Sequence, residues 1–522
     1  MKYFIGTSGE QQHDAAFTVV DEKGDIKFAS LSERFTGVKH DYNMPTSIFE
    51  ERIAPYKNSD TEYWLNDNWC LRARMRPGME EELMREFAIK KQGAGKMVKL
   101  DSIADGHPYY RLMFHPQQKG CNHHESHAAA AFMTRPKSFA KEDCVMVVID
   151  GIGEWRSGLI LNSDFEVVHD MCFPKSLGYL YATFTNRVPP LTANEDEYVI
   201  MGKSCYGEPT HWKELYEMFN CVPEFDMYSV EEDLEAFDWD NRYSLKTVFL
   251  NKMCDMLFKE CANVEDAAAS LQRMTEECII DFMKVARKHG SKLCYSGGVA
   301  QNIMANSRIH DMFDDVWIDV NPGDGGAALG AAAFGYYKAT GNDRINWEHP
   351  YLGHVIEGTV DPEEVVDYIM KNKVAGIANG GAEYSCRAYG NRSLIADVRY
   401  DVKDTVNEIK RRQKFRPFAP AILEEHAHMY FDGPMNRWMQ FVAKAKHDYS
   451  SVTHVDGTGR VQLVPSSSHS VFRQILEVYY EKTGIPMLLN TSLNIRRKPM
   501  VNDYEQAMEF QERYGGKVFT GS

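Results

Sequence analysis

Residues 316–337 read VWIDVNPGDGGAALGAAAFGYY: an apolar run, a loop of glycine and aspartate, then small residues at helical length. A little upstream, residues 293–302 (LCYSGGVAQN) repeat that order, with an apolar run, the pair Gly297-Gly298 and a helix start. Strand–glycine loop–helix units bring backbone N–H groups and a helix N-terminus to one place, where phosphate sits well. A single loop of this kind is a weak signal, because any tight turn uses glycine. Two in close succession, each behind an apolar strand, predict an α/β fold.

Working outward, CVMVVIDG (144–151) has the pattern of a buried strand ending in an acid and a glycine. Between Asn263 and His289, apolar residues Leu271, Met274, Cys278, Phe282 and Val285 recur at helical spacing, and His289-Gly290 is a stop signal. The N-terminal stretch KYFIGTSG and the later AAFTVVDEKGDIKFASLSE read as strands about the turn Glu22–Asp25. Residues 339–356 turn polar and irregular. They divide the chain into an α/β domain over 1–350 and an α+β domain over 351–522. The second part holds a helix from Pro362, then basic turns beside strands in GGAEYSCRAYGNRSLIAD, IKRRQKFRPFAPAIL, HVDGTGRVQLV and TGIPMLLNTSLN. Guanidinium forks bind planar oxyanions through paired hydrogen bonds, so this composition suits a pocket for phosphate or another anion. No internal repeat is visible in the residues.

The chain has 522 residues and a net charge of −16, which disfavours wholesale nucleic-acid coating. Residues 71–100 run against that average, with eight Lys/Arg against four Glu. They read either as a solvated helix and loop or as a contact surface for a phosphate-bearing acceptor. Eleven scattered cysteines without a CxxC pair argue for reduced thiols in a cytosol-like compartment, and against a zinc ribbon. No apolar run approaches the roughly 18–20 residues that span a bilayer, and MKYFIGTSGE lacks a secretory leader's pattern. A cytoplasmic protein with no membrane partner is expected.

In CNHHESHAAAAF (121–132), His123 and His127 stand four apart. On a helix such residues share a face at roughly 5–6 Å between Cβ atoms. They reach one divalent metal if oxygen ligands arrive from elsewhere. Asp150 and Asp324 both follow apolar strands and adjoin glycine, which makes them the candidates to complete an N/O site for Fe(II), Mn(II) or Zn(II).

Motifs in order along nearly the whole chain resemble the O-carbamoyltransferases of nodulation-factor and antibiotic biosynthesis, of the tobramycin carbamoyltransferase type. They are HDAA (13–16), SERFTGVKHD (32–41), HHESHAAAA (123–131), DGIGEW (150–155), GGVAQN (297–302) and NPGDGGAALGAA (321–332). The second half adds AYGNRS (388–393), FRPFAPAIL (415–423), DGTGRVQLV (456–464) and LLNTSLN (488–494). The resemblance implies an actin/hexokinase-like N-terminal domain and a YrdC-like C-terminal domain. The latter makes carbamoyl-adenylate from carbamoyl phosphate and ATP, with Mg(II) accompanying ATP, and the former passes the carbamoyl group to a hydroxyl. By motif match, His123, His127, Asp150 and Asp324 hold a metal, iron in this family. Gly297, Gly298, Asn302, Gly325 and Gly326 line the nucleotide site. Lys410, Arg412, Arg416, Arg460, Asn490 and Ser492 take carbamoyl phosphate and the adenylate. His13, Asp14, Lys39 and His40 fall at the acceptor and transfer centre, with His13 or His124 as base.

Three motifs depart from the family pattern. YVIMGKSCYG (198–207) has Val199 where a lysine is usual and places Lys203 after the methionine. ERFTGVKHD has Gly37 for an arginine, and SCRAYGNRS carries Ser385, Cys386 and Tyr389 at altered positions. Acceptor identity therefore does not carry over. With the basic run, these changes favour a hydroxymethylated pyrimidine, 5-hydroxymethylcytosine in DNA or its nucleotide, as a virus-encoded enzyme in a host cytoplasm would modify. A base within a duplex must be flipped out to be reached. A small hydroxylated metabolite (sugar, aminoglycoside or polyketide) is the alternative. Transfer RNA threonylcarbamoylation fits the nodulation-type motifs less well, and hydrogenase-maturation carbamoylation would add zinc-finger cysteine pairs. A non-catalytic nucleotide-binding scaffold would not need the metal set and the basic turns together.

Overall fold

The computed structural model describes residues 1–9, 13–66, 118–153, 156–222, 239–468 and 470–521. The basic run 71–100, and Glu154 and Trp155 of DGIGEW, lie outside the described residues. The chain forms two compact units. The first comprises Met1–Ser32, Tyr42–Gln301 and Asp311–Trp347, and the second Glu33–Asp41, Asn302–His310 and Glu348–Ser522.

The first unit holds two five-stranded sheets with one connectivity. Strands β1 (Tyr3–Ser8), β2 (Ala16–Asp21) and β3 (Ile26–Leu31) form an antiparallel meander. β4 (Glu62–Leu65) and β5 (Gln118–Gly120) then join β1 in parallel, giving the order β3-β2-β1-β4-β5. β6 (Cys144–Ile149), β7 (Arg156–Asn162) and β8 (Val167–Cys172) form the second meander. β9 (Lys292–Ser296) and β10 (Asp315–Ile318) extend it in parallel, giving β10-β9-β6-β7-β8. The duplication lives in topology and not in residue identity, which is why the sequence shows no repeat. Every residue of β6 is buried, as its unbroken apolar run requires of a strand covered on both faces.

Three helices position the chemistry. α1 (His123–Met133) starts with a capping box, in which the Asn122 side chain accepts from the backbone and the Glu125 carboxylate accepts from the Asn122 N–H. α2 (Val264–Ala286) is capped by Asn263, whose side chain accepts from the Asp266 N–H, and it ends within a turn of the expected His289-Gly290 stop. α3 (Asp324–Thr340) packs against both β1 and α1. That double contact explains the small residues. A Cβ on Gly6 of β1 would strike the Ala328 carbonyl oxygen, and one on Gly330 would strike the Ser126 carbonyl oxygen. Ala128–Ala131 of α1 are fully buried. The run of small residues is a close-packed helix crossing.

The second unit is built on a mixed six-stranded sheet. Its order is Gln462–Val464, Ala419–Leu423, Met487–Ser492, Arg392–Ala396, Val374–Ala378, Val518–Thr520. Helix Pro362–Asn372 begins where the sequence predicts, with Asp361 as cap and proline in the first turn. With helix Val471–Thr483 it covers one face through Val365, Val366, Ile369, Phe472, Ile475 and Leu476. A second apolar cluster around Leu394, Leu489 and Phe510 contains the neighbouring strand residues, which point the other way. Two segments from the expected 1–350 domain belong here. Buried Arg34 donates to the Glu383 and Ser385 carbonyls, and Asn306 donates to the Gln440 carbonyl. Among the described residues, no helix is long and apolar enough to cross a membrane.

Candidate functional site

α1 presents His123 and His127 on one face of its first turns, β6 ends at Ile149 just before Asp150, and α3 opens with Asp324. Ligand atoms of the four converge within 4.8 Å of one another. His123 Nε2 lies 3.2 Å from His127 Nε2. Asp150 Oδ2 lies 3.4 Å from the first and 3.2 Å from the second, and Asp324 Oδ1 lies 3.5 and 3.4 Å from them. Tetrahedral ligands at metal bond lengths of about 2.0–2.2 Å stand roughly 3.3–3.6 Å apart, so these spacings suit one divalent ion. Both histidines are buried. Burial opposes ionisation of Asp150 and Asp324, yet the facing imidazoles hold both carboxyls below their ordinary range. Burial likewise opposes charge on His127, but the two aspartates push it up. Two imidazoles and two carboxylates form a borderline N/O donor set able to hold Fe(II), Mn(II) or Zn(II).

His13 stands beside this tetrad, with Nδ1 2.8 Å from Asp14 Oδ2 and Nε2 3.7 Å from Asp324 Oδ2. Burial works against its charge, but Asp324, Asp14 and Asp150 together push it up to about 9. Lys39 and His40, expected at the same centre, fall in the Glu33–Asp41 segment of the second unit, where the His40 N–H donates to the Glu33 carboxylate. His124 is buried, and neither ring nitrogen has a hydrogen-bond partner among the described residues. Burial, followed by repulsion from His123, holds it far below its ordinary value, so it is neutral and a poor base. Its ring leaves no room above Gly153, where a Cβ would overlap Nδ1.

The glycine loops place the carboxylates. Gly297 has φ +95°, and a Cβ there would strike the Ile149 carbonyl. A Cβ on Gly298 would lie 3.0 Å from Asp150 Oδ1. Gly325 and Gly326 are buried in the first turn of α3, the latter against the Asn321 carbonyl. Asn302, expected at the nucleotide, spends its side-chain oxygen capping helix Ile303–Ile309 by accepting from the Ala305 N–H, and it belongs to the second unit.

The second unit gathers cations. Arg412 donates to Asn407 Oδ1 at 2.6 Å and stacks 4.2 Å from the Phe418 ring centroid. Arg460 is acted on by Arg387, Cys386, Tyr389 and Arg416, and burial with the two guanidiniums pulls it down to about 9. No carboxylate is among those neighbours, and an oxyanion would relieve the repulsion. Arg387, which sequence reasoning passed over within SCRAYGNRS, donates to the Met439 and Trp438 carbonyls. Asn490 is buried, and its amide nitrogen donates to the Ala388 carbonyl and to Gln462 Oε1. Ser492 donates to Asn494 Oδ1 at 2.6 Å. Lys410 is buried with its ammonium on Ser492 and Asn494.

Two family profiles match this arrangement. "Carbamoyltransferase N-terminus" covers residues 4–333 and "Carbamoyltransferase C-terminus" residues 366–519. The chain belongs to the carbamoyltransferase family. It is therefore an enzyme of the transferase class. Nodulation protein NolO of Bradyrhizobium diazoefficiens is 30% identical over 429 residues, 74% of this chain and 75% of NolO. Nodulation protein NolNO of Sinorhizobium fredii is 31% identical over 432 residues, 74% of this chain but 60% of that longer protein. Among solved structures, HypF of T. kodakarensis aligns at TM-score 0.32 and 14% identity, covering 65% of this chain and 48% of HypF. Component A of the (R)-2-hydroxyglutaryl-CoA dehydratase of Acidaminococcus fermentans aligns at TM-score 0.31 and 14% identity, covering 65% of this chain and 99% of its own. Structural likeness at this level carries no functional argument.

Proposed function

We propose that this carbamoyltransferase transfers a carbamoyl group to a hydroxyl by way of carbamoyl-adenylate made from carbamoyl phosphate and ATP. The observation that carries the reading is the convergence of His123, His127, Asp150 and Asp324 within one chain that also gathers Arg387, Arg416 and Arg460. The fold assignment goes with it. The duplicated connectivity of the first unit supports an actin/hexokinase-like domain over 1–350, and the cation-rich second unit a YrdC-like domain over 351–522.

In the first half-reaction, carbamoyl phosphate loses phosphate to water and the resulting carbamate displaces pyrophosphate from ATP, with Mg(II) accompanying the nucleotide. Arg416 and Arg460 neutralise the phosphoryl oxygens, a task for which a guanidinium fork is suited. In the second, the acceptor oxygen attacks the carbamoyl carbon, AMP departs, and the hydroxyl proton must be taken up. An ion in the tetrad, Fe(II) by resemblance, would hold the adenylate phosphate and draw charge from the leaving group. His13, with Nδ1 fixed by Asp14, would take the proton in its neutral form, which an ion on Asp324 would favour by cancelling the charge that most raises the imidazole. The compartment is cytosolic in this reading, in keeping with the scattered reduced thiols.

The acceptor we assign is the hydroxyl of a hydroxymethylated pyrimidine, in DNA or as the nucleotide, on the strength of the basic run 71–100 and the altered acceptor-side motifs. The test is a mass-spectrometric screen with ATP, carbamoyl phosphate and Fe(II). It offers hydroxymethylcytosine-containing DNA, the free nucleotide and a panel of hydroxylated small molecules. A gain of one carbamoyl group on the pyrimidine supports the assignment. A gain confined to a small molecule removes the pyrimidine acceptor and leaves carbamoyl transfer standing.

A further inference from the structure

Two buried polar side chains stand without partners at one end of the first sheet. Ser8 is 3% exposed and Asn66 1% exposed. Neither Ser8 Oγ nor Asn66 Oδ1 has a hydrogen-bond partner among the described residues. Ser8 is the last residue of β1, and Asn66 follows β4. The two strands are parallel neighbours with Thr7 beside Leu65, and the Asn66 N–H extends their ladder by donating to the Thr7 carbonyl at 3.1 Å. Ser8 and Asn66 thus lie side by side at the carboxyl ends of parallel strands, where α/β sheets take their ligands.

Alternation along the strands fixes the face. A Cβ on Gly6 would strike α3, and a Cβ on Gly335 of α3 would strike Trp64, so Gly6 and Trp64 look at that helix. Ser8 and Asn66, two residues on, look the same way. Helix and strand run in opposite directions, because the Phe4 ring lies 6.0 Å from that of Tyr336 while Gly6 meets Ala332 and Ala328. Two strand residues advance about 6.6 Å and four helix residues about 6 Å. Ser8 therefore falls at the first turn of α3, which Asp324 opens and where His13 Nε2 stands 3.7 Å from the Asp324 carboxylate.

Resting on the reading of carbamoyl transfer to a hydroxyl, we infer that Ser8 and Asn66 bind the acceptor and hold its hydroxyl beside the tetrad. A buried oxygen with no donor costs the fold free energy, and a substrate that brings the donor recovers it. Asn66 Oδ1 only accepts, so it takes an O–H or N–H of the substrate, whereas Ser8 Oγ both gives and takes. Two neighbouring oxygens of this kind suit an acceptor with two neighbouring donors. The exocyclic amine and the hydroxymethyl group of 5-hydroxymethylcytosine, on adjacent ring carbons, are such a pair.

The experiment measures carbamoyl transfer by the full chain to the 5-hydroxymethylcytosine nucleotide, with ATP, carbamoyl phosphate and Fe(II) in excess. Ser8→Ala and Asn66→Ala are compared with the unaltered enzyme. KM belongs to folded molecules alone, and a lost folded fraction lowers kcat without moving it. Each variant is expected to raise KM for the nucleotide about tenfold, with kcat kept within about twofold and KM for ATP and carbamoyl phosphate unmoved. An unaltered KM for the nucleotide in both variants would overturn the inference. So would a fall in kcat at unchanged KM, which marks a structural role at the tetrad. An unaltered enzyme that leaves the nucleotide unmodified overturns the pyrimidine assignment alone, and the same comparison is then made on the hydroxylated small molecule that it does carbamoylate. An enzyme that carbamoylates no hydroxyl compound overturns the transfer reading, and the inference with it. Asn66→Ser substitutes if the alanine variant does not fold.

Discussion

At the scale of single residues, the sequence is most legible where chemistry dictates spacing. His123 and His127 can share an ion because a helix puts i and i+4 on one face, and α1 delivers that. Lys410 and Asn490 are the opposite case. Their residue types suit an anion, but no motif encodes their burial or the internal acceptors that hold them. Arg387 was missed because its neighbours in space, Arg460 and Arg416, are far off in sequence. Asp319 makes a prediction of its own. Its carboxyl is buried at the end of β10, and burial pushes it from 3.8 up to about 6, against the help of the Asn321 and Val320 N–H groups and of His127. A raised carboxyl contributes stability that is complete below the unfolded value near 3.8 and is lost as pH rises through about 6. At neutral pH the ionised form costs the fold roughly 3 kcal/mol. Asp319→Asn should therefore raise the thermal midpoint at pH 7.5 and leave it nearly unchanged at pH 4. An equal shift at both pH values would show that the charge is not the cause.

At the scale of elements, caps and stops were readable because they are local. Asn263, Asp361 and the Asn122–Glu125 box all sit where sequence rules place them. The glycine loops were readable as turns but not as packing. Gly297, Gly326 and Gly330 are fixed by carbonyl oxygens of Ile149, Asn321 and Ser126, contacts that only the fold creates. Gly330→Ala should cost about 3 kcal/mol or more in denaturant unfolding, because two packed helix backbones must part. It should also loosen α1 next to His127. Gly202 lies in helix Glu197–Lys203 with nothing within 4 Å of its ideal Cβ, and Gly202→Ala should stabilise by about 0.5–1 kcal/mol. Equal effects at the two glycines would refute the crossing as the reason for the small residues.

At the scale of the whole molecule, the α/β class was legible from two strand–loop–helix units. The paired sheet topology was not, because matching connectivity leaves no matching residues. Nor was the assignment of Glu33–Asp41 and Asn302–His310 to the second unit, which depends on long-range hydrogen bonds such as Arg34 to Glu383. The division of labour between the units is the central claim, and exchange of labelled pyrophosphate into ATP tests it most directly. The account predicts exchange that requires carbamoyl phosphate, is lost in Arg460→Ala, and persists in His127→Ala, which breaks the tetrad of the other unit. Exchange that ignores carbamoyl phosphate, survives Arg460→Ala or disappears with His127→Ala would contradict it.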